Sequence, residues 1–485
     1  MHSKAVNPHP RKGDDTLKDR TERLVSKLRV VRRIPRRMVH SAVRIAGKAI
    51  RAKSERVRHQ KKILVLGGWG NRNAGDEAIL HKTLGDLRSR YPDHIIRVLT
   101  PDQNYTHVTN DQCDVADAPR VAFFDQDERP LYYLECRRDK FLFALRMIWI
   151  YGNAVMDRRH LPVFLGVKRT ALLHEIKTAS LVFFAGGGYL TGATLSRLWD
   201  GCLFILLCKL YRVPVVLSGQ TIGLWNNWFD RFLAGRAFRY AKLITVRDPE
   251  ASLKALAQIG VPGSETVYTT CDDALFCEKE ADPNKIHELL VGSGMSDADI
   301  ANGFVAVNIS YWGTTTEEDK GRLRERFQKM LQHLLERTEH CILFVPMNVS
   351  DEESMNDVRR ELRSDRVFLL KTDYDFKSLR GVIGRSEMCL TRRHHPIIFA
   401  IGERVPVIAL AYHPYFEHKN FGALHIVNWG EFSVSLTDDD CVGRFQQLWE
   451  RISADRKGLI GDLDDRFRGL HALRERFFEQ VSAFV

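Results

Sequence analysis

The sequence lacks an apolar run long enough to cross a bilayer. Its most apolar stretch, "CLFILLC" at 202–208, is far shorter than the roughly 20 residues that a transmembrane helix needs. The opening residues, "MHSKAVNPHPRKGDD", contain no apolar core of signal-peptide length. We therefore expect a cytoplasmic protein.

Cysteine is scarce and poorly placed for cross-linking. The nine cysteines among 485 residues are odd in number, scattered and without a close Cys-x-x-Cys pair. This pattern argues against a disulfide framework and a structural zinc site, and it is typical of a reducing compartment. Asp272 and Asp273 are adjacent, but no cluster of metal-binding residue types at ligand spacing accompanies them, so we predict no metal site.

Acidic residues are rare in the first 60 residues, which contain 18 Lys and Arg against 5 Asp and Glu, a net charge of +13. The whole chain carries +12, so the remainder is nearly neutral at −1. Apolar residues such as Leu24, Leu28 and Val31 recur at helical spacing in this tail. A basic amphipathic segment predicts a peripheral membrane anchor at the inner face of the membrane, with an extension of no specific role as the alternative. Nucleic-acid binding is disfavoured because the neutral body offers no basic face.

From Lys61 onward, short β-branched apolar runs alternate with amphipathic segments. The predicted strands are 62–66, 181–185, 213–217, 243–246, 266–270, 304–310, 341–346, 387–391 and 405–410. Continuous apolar strands that alternate with helices are typical of parallel sheets covered on both faces. We therefore predict an α/β protein.

Two similar halves are indicated by a short repeat, because "RVPVVLSG" (212–219) and "RVPVIALA" (404–411) look like the same strand used once in each half. Linker-like residues at 278–301 place the boundary between the halves. We predict an extension over 1–60, a first domain over 61–285, a second over 286–435, and a helical segment over 436–485 that packs back on the body. Ligands bind at the carboxyl ends of parallel strands, so two such edges would form a cleft between the domains.

Two glycine-rich stretches follow predicted strands. In "GGWGNRNAGDEAIL" (67–80), a helix is predicted to open at Asp76–Glu77. Glycines allow the backbone to approach a ligand, but a tight turn with Asp76 as helix cap is an equal alternative. The stretch is not a P-loop, because no Gly-Lys-Ser/Thr follows. In "AGGGYLTGATLS" (185–196), we predict a loop that contacts a polyanion or a sugar, with a close contact between domains as the alternative.

Basic residues follow two other strands. Arg247 ends the strand before "DPEAS", where an internal structural role of Arg247 and Asp248 is the alternative to ligand binding. In "LTRRHHPIIFA" (390–400), Thr391 ends a strand and Pro396 suits the first position of a helix, so residues 392–395 are predicted in the turn between them. The positive end of that helix favours an anion and a neutral histidine, and arginine offers a fork for carboxylate or phosphate. A merely basic surface turn is the alternative.

Together these stretches resemble the polysaccharide pyruvyl transferase family. The resemblance is carried by "GNRNAGDEAIL" (70–80), "FFAGGGYL" (183–190), "SGQTIG" (218–223), "VRDPEAS" (246–252), "CDDALF" (271–276) and "RHHPIIFAIGERVPVIALAY" (393–412). It implies two Rossmann-like domains with parallel sheets facing a cleft, as in GT-B glycosyltransferases. It also implies transfer of the pyruvyl group of phosphoenolpyruvate to sugar hydroxyls, often as a cyclic ketal. The sequence departs from the family at His394, where Leu or Tyr is more usual.

The resemblance assigns the site residue by residue. The family's Arg-x-His corresponds to Arg393 and His395, its strand-end arginine to Arg247, and its later basic residue to Lys419. It implies that the three cations hold the donor's phosphate and carboxylate, that His395 is the acid/base, and that Arg393 and Arg247 also take part in catalysis. Arg392 and His394 are expected to pack rather than react. The predicted acceptor-binding or cleft-shaping residues are Gly68, Asn73, Asp76, Gly186, Gly187, Gly188 and Gln220.

The implied partners are phosphoenolpyruvate as donor substrate, with no cofactor, and a sugar or lipid-linked oligosaccharide acceptor of cell-surface or exopolysaccharide biosynthesis. The regions at 105–175 and at the C-terminus lie outside the resemblance and are expected to shape the acceptor site or membrane attachment. Two alternatives remain: a nucleotide-sugar-dependent glycosyltransferase of the same architecture, and a non-catalytic scaffold docked on the membrane by residues 1–60.

Overall fold

The structure is a computed structural model that describes residues 61–110, 113–124 and 137–485, apart from 312 and 315. The basic tail and its predicted amphipathic segment lie outside the described residues. None of the helices in the described ranges is both long and apolar enough to cross a membrane.

The first half of the described chain is built on an eight-stranded parallel sheet with the order β3-β2-β1-β4-β6-β7-β8, in which β5 pairs only with β6. Its strands are β1 (Lys62–Leu66), β2 (Ile95–Thr100), β3 (Asp114–Asp117), β4 (Leu181–Phe184), β5 (Gly187–Thr191), β6 (Val215–Gly223), β7 (Leu243–Val246) and β8 (Val267–Thr269). The α-helices of this half are α1 (Ala74–Arg90), α2 (Gln103–Thr109), α3 (Pro119–Phe124), α4 (Arg137–Arg158), α5 (Val167–Thr178), α6 (Leu195–Tyr211), α7 (Trp228–Phe238) and α8 (Ala251–Gln258).

The second half is built on a six-stranded parallel sheet with the order β11-β10-β9-β12-β13-β14. Its strands are β9 (Phe304–Asn308), β10 (Cys341–Phe344), β11 (Val367–Leu369), β12 (Met388–Thr391), β13 (Val407–Ala411) and β14 (Ser433–Ser435). The α-helices from here to the end are α9 (Pro283–Gly292), α10 (Asp297–Asn302), α11 (Glu317–Arg337), α12 (Val349–Leu362), α13 (Phe376–Gly384), α14 (His394–Glu403), α15 (Pro414–Phe416), α16 (Gly422–Ile426), α17 (Cys441–Ala454) and α18 (Arg456–Val481).

The two sheets share one topology. When β5 is set aside, the first six strands of the first sheet and the six strands of the second both follow the Rossmann order 3-2-1-4-5-6. The repeated Arg-Val-Pro-Val phrase marks the fifth strand of each sheet, β6 and β13. In both places the arginine, Arg212 or Arg404, takes a left-handed conformation (φ 64° and 58°) that ends the preceding helix. The predicted α/β fold with two parallel sheets is confirmed.

The main error in the sequence analysis concerns the second glycine stretch. Part of the predicted loop at 185–196 is the strand β5, which pairs with β6 through Gly187 and Gln220. Glycine runs disfavour strands on propensity alone, so the pairing partner decided this element. The sequence patterns also do not predict β2, β3, β11 and β14, of which β3, β11 and β14 lie at sheet edges.

The last helix, α18, contacts the first half of the chain. Arg474 on this helix forms ion pairs with Asp86 of α1 and with Asp273 after β8, the latter at 2.6 Å. Tyr268 of β8 donates a hydrogen bond to Gln480 at 2.8 Å. The domain limits stay predictions.

Candidate active site

The carboxyl ends of both sheets meet, and the side chains that follow their strands are in contact there. The backbone N–H of Ala74, which begins α1, donates to the carbonyl of Met347 after β10 at 3.1 Å. His418 from the second half lies 3.5 Å from Asp248, the residue that follows Arg247. The chain therefore brings the glycine-rich, acidic and basic stretches of both halves to one edge.

Arg247 lies at the centre of this edge and is 2% exposed. Its Nε donates to Thr221 Oγ1 at 2.8 Å, and its Nη1 is paired with the carboxylate of Asp272. Arg247 and Asp248 do not pair with each other, because Asp248 accepts hydrogen bonds from Ser252 in the first turn of α8. The remaining nitrogen, Arg247 Nη2, is buried and has no hydrogen-bond partner among the described residues.

The two histidines do not lie in the turn before the helix, as the sequence predicted, but in its first turn. Helix α14 begins at His394, with Arg393 as its N-cap residue, so Pro396 occupies the third helical position. Proline is tolerated there because the first N–H groups of a helix have no intrahelical acceptor. Only Arg392 and Arg393 remain in the connection from β12.

His394 and His395 point to different partners. His394 Nε2 donates to Asp272 at 3.1 Å, so the carboxylate bridges His394 and Arg247. Burial acts to raise the pKa of Asp272, but Arg247 and the hydrogen bond from His394 outweigh it and hold the pKa well below its ordinary value. Burial lowers the pKa of His394 well below its ordinary value, and the charge of Arg247 acts in the same direction.

His395 lies across the start of α1. A Cβ built on Gly75 would fall 1.9 Å from the His395 ring, so only glycine leaves room for it. Burial lowers the pKa of His395 to about 3; Asp272 opposes this shift and Lys419 adds to it. His395 Nε2 is buried and has no hydrogen-bond partner among the described residues. The ring is therefore a neutral imidazole at pH 7, with one nitrogen available to a ligand.

Arg393 is held by a different carboxylate. Its Nε donates to Asp351 Oδ1 at 2.9 Å, and its Nη2 lies 3.3 Å from Ser350 Oγ. Asp351 is fully buried and also accepts the N–H of Met347 at 3.0 Å. The neighbouring Arg392 is 1% exposed and lies over the ring of Phe416, 4.8 Å from its centroid. The structure thus gives the two arginines separate surroundings.

Lys419, from the second half of the chain, is the last of the predicted cations at this edge. Its Nζ lies 5.9 Å from the centroid of the Tyr415 ring, and Tyr415 Oη donates to the carbonyl of Gly188 at 3.3 Å. A Cβ on Gly188 would lie 3.2 Å from Arg247 Nη2 and 3.6 Å from Lys419 Cδ. Gly188 therefore leaves space between these two cations. Burial lowers the pKa of Lys419 to about 7, and the charge of Arg247 acts in the same direction.

The remaining predicted residues divide into two sets. Asp76 faces the cations: burial raises its pKa, and Lys419, Arg197 and Arg247 oppose this shift. Gly68 lies next to that carboxylate, because a Cβ added to Gly68 would be 3.2 Å from Asp76 Oδ1. The helix cap predicted at Asp76 is wrong, because Asn73 caps α1 by accepting the N–H of Gly75 at 3.1 Å.

Gln220, Gly186 and Gly187 support the site from below. Gln220 is fully buried and donates to the carbonyl of Ala185 at 2.5 Å. The N–H of Gly186 donates to Asp273 at 3.2 Å. Gly187 has a φ of +156°, and a Cβ there would lie 2.5 Å from the Tyr189 ring. These three residues therefore fix the backbone next to Gly188.

Sequence reasoning missed three residues of this group: Asp272 as the bridging carboxylate, Tyr415, and Arg197 on the first turn of α6. Asp272 lies within "CDDALF" (271–276), where nothing local distinguishes it from Asp273, and nothing local distinguishes Tyr415 from the other aromatic residues near it. Within the described ranges, no group of three or more His, Cys, Asp or Glu side chains could hold a metal ion.

Comparisons with known proteins agree with this architecture. A family description, polysaccharide pyruvyl transferase, matches residues 73–414, which is most of the chain. The set of curated proteins contains no sequence that matches this chain.

Several solved structures share the fold. A glycosyltransferase from Rickettsia africae ESF-5 is 11% identical with a TM-score of 0.51, over 88% of this chain and 98% of that one. Anabaena Alr3699/HepE in complex with UDP-glucose is 15% identical with a TM-score of 0.50, over 87% and 99%. A putative UDP-N-acetylglucosamine 2-epimerase from Listeria monocytogenes is 13% identical with a TM-score of 0.50, over 87% and 97%. At these identities the likeness concerns the fold alone, and it confirms the predicted GT-B-like architecture.

Proposed function

The chain belongs to the polysaccharide pyruvyl transferase family, and from this premise we propose that it transfers the pyruvyl group of phosphoenolpyruvate to sugar hydroxyls, with release of phosphate. The proposed acceptor is a sugar, free or lipid-linked, in the biosynthesis of a cell-surface or secreted polysaccharide. Phosphoenolpyruvate is a substrate in this reaction, and no cofactor is proposed.

One observation carries the proposal: two buried side chains, one cationic and one neutral, each have a polar atom without a partner. Arg247 Nη2 is buried without a hydrogen-bond partner among the described residues, and so is His395 Nε2. Leaving a buried donor or acceptor unpaired costs roughly 1–3 kcal/mol, so such atoms favour a ligand that pairs with them. With Lys419 beside Arg247 across Gly188, the group suits a compact molecule that carries both phosphate and carboxylate.

The proposed roles follow from where each side chain lies. Arg247 and Lys419 bind the donor's anionic groups between the two halves, with Arg393 and the start of α14 on the other side. Arg393 and Arg247 stabilise the negative charge that develops as phosphate departs. Asp272 fixes the Arg247 guanidinium and the tautomer of His394, and so acts by positioning.

His395 is the proposed acid/base. His395 passes a proton to the donor's methylene carbon, which becomes a methyl group, and positive charge develops on the carbon that bears phosphate. The sugar hydroxyl oxygen bonds to that carbon and gives its own proton to His395, which restores the neutral imidazole. A second hydroxyl of the same sugar then displaces phosphate, and its proton leaves with the phosphate. The products are a cyclic ketal and inorganic phosphate, and the atoms balance without an oxidant or reductant.

A donor comparison tests the proposal. The protein is incubated with candidate acceptor sugars and either phosphoenolpyruvate or a panel of nucleotide sugars. We expect release of inorganic phosphate and a mass gain of one pyruvyl ketal only with phosphoenolpyruvate. Release of nucleotide from a nucleotide sugar would instead identify a glycosyltransferase. Absence of turnover together with absence of phosphoenolpyruvate binding by calorimetry would support the non-catalytic alternative.

The low pKa of Lys419 predicts that kcat/KM falls as pH rises. Lys419 in the free protein has a pKa of about 7, so it loses its positive charge as pH rises through that value. Because kcat/KM reports the free enzyme, we expect kcat/KM for phosphoenolpyruvate to fall above pH 7 by up to about tenfold per pH unit. Lys419→Arg keeps its charge, so its profile should stay flat to about pH 9. If kcat/KM of Lys419→Arg falls above pH 7 as it does in the wild type, the fall is caused by the titration of another group.

A further inference from the structure

Exposed apolar side chains are concentrated on one part of the surface. Of the thirteen large apolar residues that the structure shows as exposed, eight lie between 141 and 167. Five of them, Phe141, Leu142, Leu145, Ile148 and Trp149, occupy one side of α4, which we term the α4 face. Scattered exposed apolar residues are normal on a soluble protein, but a contiguous patch indicates a binding surface.

The α4 face is not the side by which the helix packs. The buried residues of α4 are Phe143, Met147, Ile150, Asn153 and Ala154, which recur at helical spacing on the opposite side. The helix is therefore apolar on both sides, although only one of them is covered by the described protein. Phe164 follows the helix and is 73% exposed, and its N–H donates to Asn153 of α4 at 2.7 Å, so a further exposed apolar side chain lies beside this helix.

The charged residues in and next to α4 are mostly basic, and one of them, Arg169, lies over the Trp149 ring, 5.7 Å from its centroid. Residues 137–169 contain eight Lys and Arg against two Asp and Glu, a net charge of +6. Arg137, Arg138 and Lys168 among them are exposed. Aromatic and aliphatic side chains bordered by cations are typical of helices that lie in the interface of an anionic membrane.

The net charge of +6 disfavours two other occupants of the α4 face, the basic tail and a second copy of the chain. The tail over 1–60 carries +13, so it would be repelled by a surface of +6. A second copy packed by two-fold symmetry would place the same basic residues against each other. An anionic lipid surface pairs with these charges and also accepts the apolar side chains.

The start of α4 lies near the cleft. The Phe143 ring packs 6.0 Å from that of Trp199 near the start of α6, while Tyr211 at the end of α6 donates to the carbonyl of Ala154 at 3.3 Å. The two helices therefore run side by side in the same direction. The start of α6 carries Arg197, whose charge acts on Asp76. The first turns of α4 thus lie on the cleft side of the first half.

We propose that the α4 face, together with Phe164, docks on an anionic phospholipid bilayer and so places the cleft beside the membrane surface. This inference goes beyond the transfer reaction and does not depend on the donor. Where the acceptor is lipid-linked, docking at this face would bring its sugar to the site without extraction of the lipid.

Flotation of the full chain with vesicles tests the inference. We expect the protein to float with vesicles of phosphatidylcholine and phosphatidylglycerol, and to bind pure phosphatidylcholine vesicles more weakly. Ile148, 68% exposed, should be replaceable by glutamate without unfolding. Ile148→Glu or Phe164→Glu should lower the partition coefficient roughly tenfold or more, because each places a negative charge among interfacial apolar groups. Val291→Glu, an equal charge change at an exposed residue of α9, should not.

Three outcomes would overturn the inference. The first is absence of wild-type flotation. The second is flotation that Ile148→Glu and Phe164→Glu leave unchanged, since another segment would then carry binding. The third is a wild-type dimer that Ile148→Glu converts to a monomer in sedimentation, with no vesicle binding by either, since the face would then join two copies. Unchanged circular dichroism of both variants establishes that they are folded.

Discussion

Replacement of His395 by alanine is expected to lower kcat by roughly 10²–10⁴-fold, the range that a positioned acid/base contributes. His395 is the proposed carrier of the proton between hydroxyl and methylene carbon, and its Nε2 has no partner among the described residues. Because Arg247 and Lys419 remain in place, phosphoenolpyruvate binding measured by calorimetry should stay within about tenfold of wild type. A loss of binding with kcat unchanged would make His395 a binding residue, and full activity would remove it from the mechanism.

The same variant should change the acid stability of the protein in a defined direction. Histidine in the unfolded chain takes up a proton below its ordinary pKa of about 6.5, whereas burial lowers the pKa of folded His395 to about 3. The unfolded state therefore binds more protons between these values, and the protein loses stability as pH falls through that window. His395→Ala should lose less stability between pH 6.5 and pH 4, as measured by urea unfolding. An identical pH dependence would contradict the neutral, buried state.

Replacement of Gly75 by alanine is expected to lower kcat by about 100-fold or more, although it removes no chemical group. A Cβ at Gly75 would lie 1.9 Å from His395 Cγ and Nδ1, closer than any non-bonded contact, so the imidazole must move. Displacement of a catalytic group by about 1 Å can cost about 10²-fold in rate. Phosphoenolpyruvate turnover measures the effect, and thermal unfolding establishes whether the fold persists.

Gly85 on the same helix provides the matched control. A Cβ there would meet nothing within 4 Å, so Gly85→Ala should leave turnover unchanged and should stabilise the protein by about 0.5–1 kcal/mol through helix propensity. Equal activity of Gly75→Ala and wild type would show that the His395 ring does not need its present position. Equal losses of activity in both variants would point to a general effect of substitution on α1.

Much of the fold could be predicted from the sequence, because parallel strands that are buried on both faces consist of continuous apolar runs. Nine such runs marked strands, and the repeated Arg-Val-Pro-Val phrase marked the same strand of each sheet. The edge strand β3 was missed because its residues, Asp-Val-Ala-Asp, form no apolar run. The edge strands β11 and β14 were missed because three residues are too few to show a pattern. Strand β5 was missed because its residues are those of a loop and only pairing with β6 makes it a strand.

Local patterns also set helix starts only to within a few residues. The sequence predicts Pro396 as the first residue of α14, but proline is also tolerated later in the first turn. The helix begins two residues earlier and so includes both histidines. At α1 the cap fell on Asn73 rather than Asp76. Both shifts changed which side chains point into the site.

The sequence by itself determined the two-sheet α/β architecture, the strand ends at which the basic and glycine-rich stretches lie, and the choice of His395 and Arg393 as the family's histidine and arginine. Only the tertiary structure decided the partners of these groups. Asp272 joins Arg247 to His394, Gly75 makes room for His395, and Gly188 separates Arg247 from Lys419. The physical reason is that hydrophobic periodicity is a local property of the chain. Pairing of charges and close contact with glycine join residues that are distant in the sequence, 25 positions apart for Arg247 and Asp272 and 122 for Asp272 and His394, and these contacts leave no local pattern.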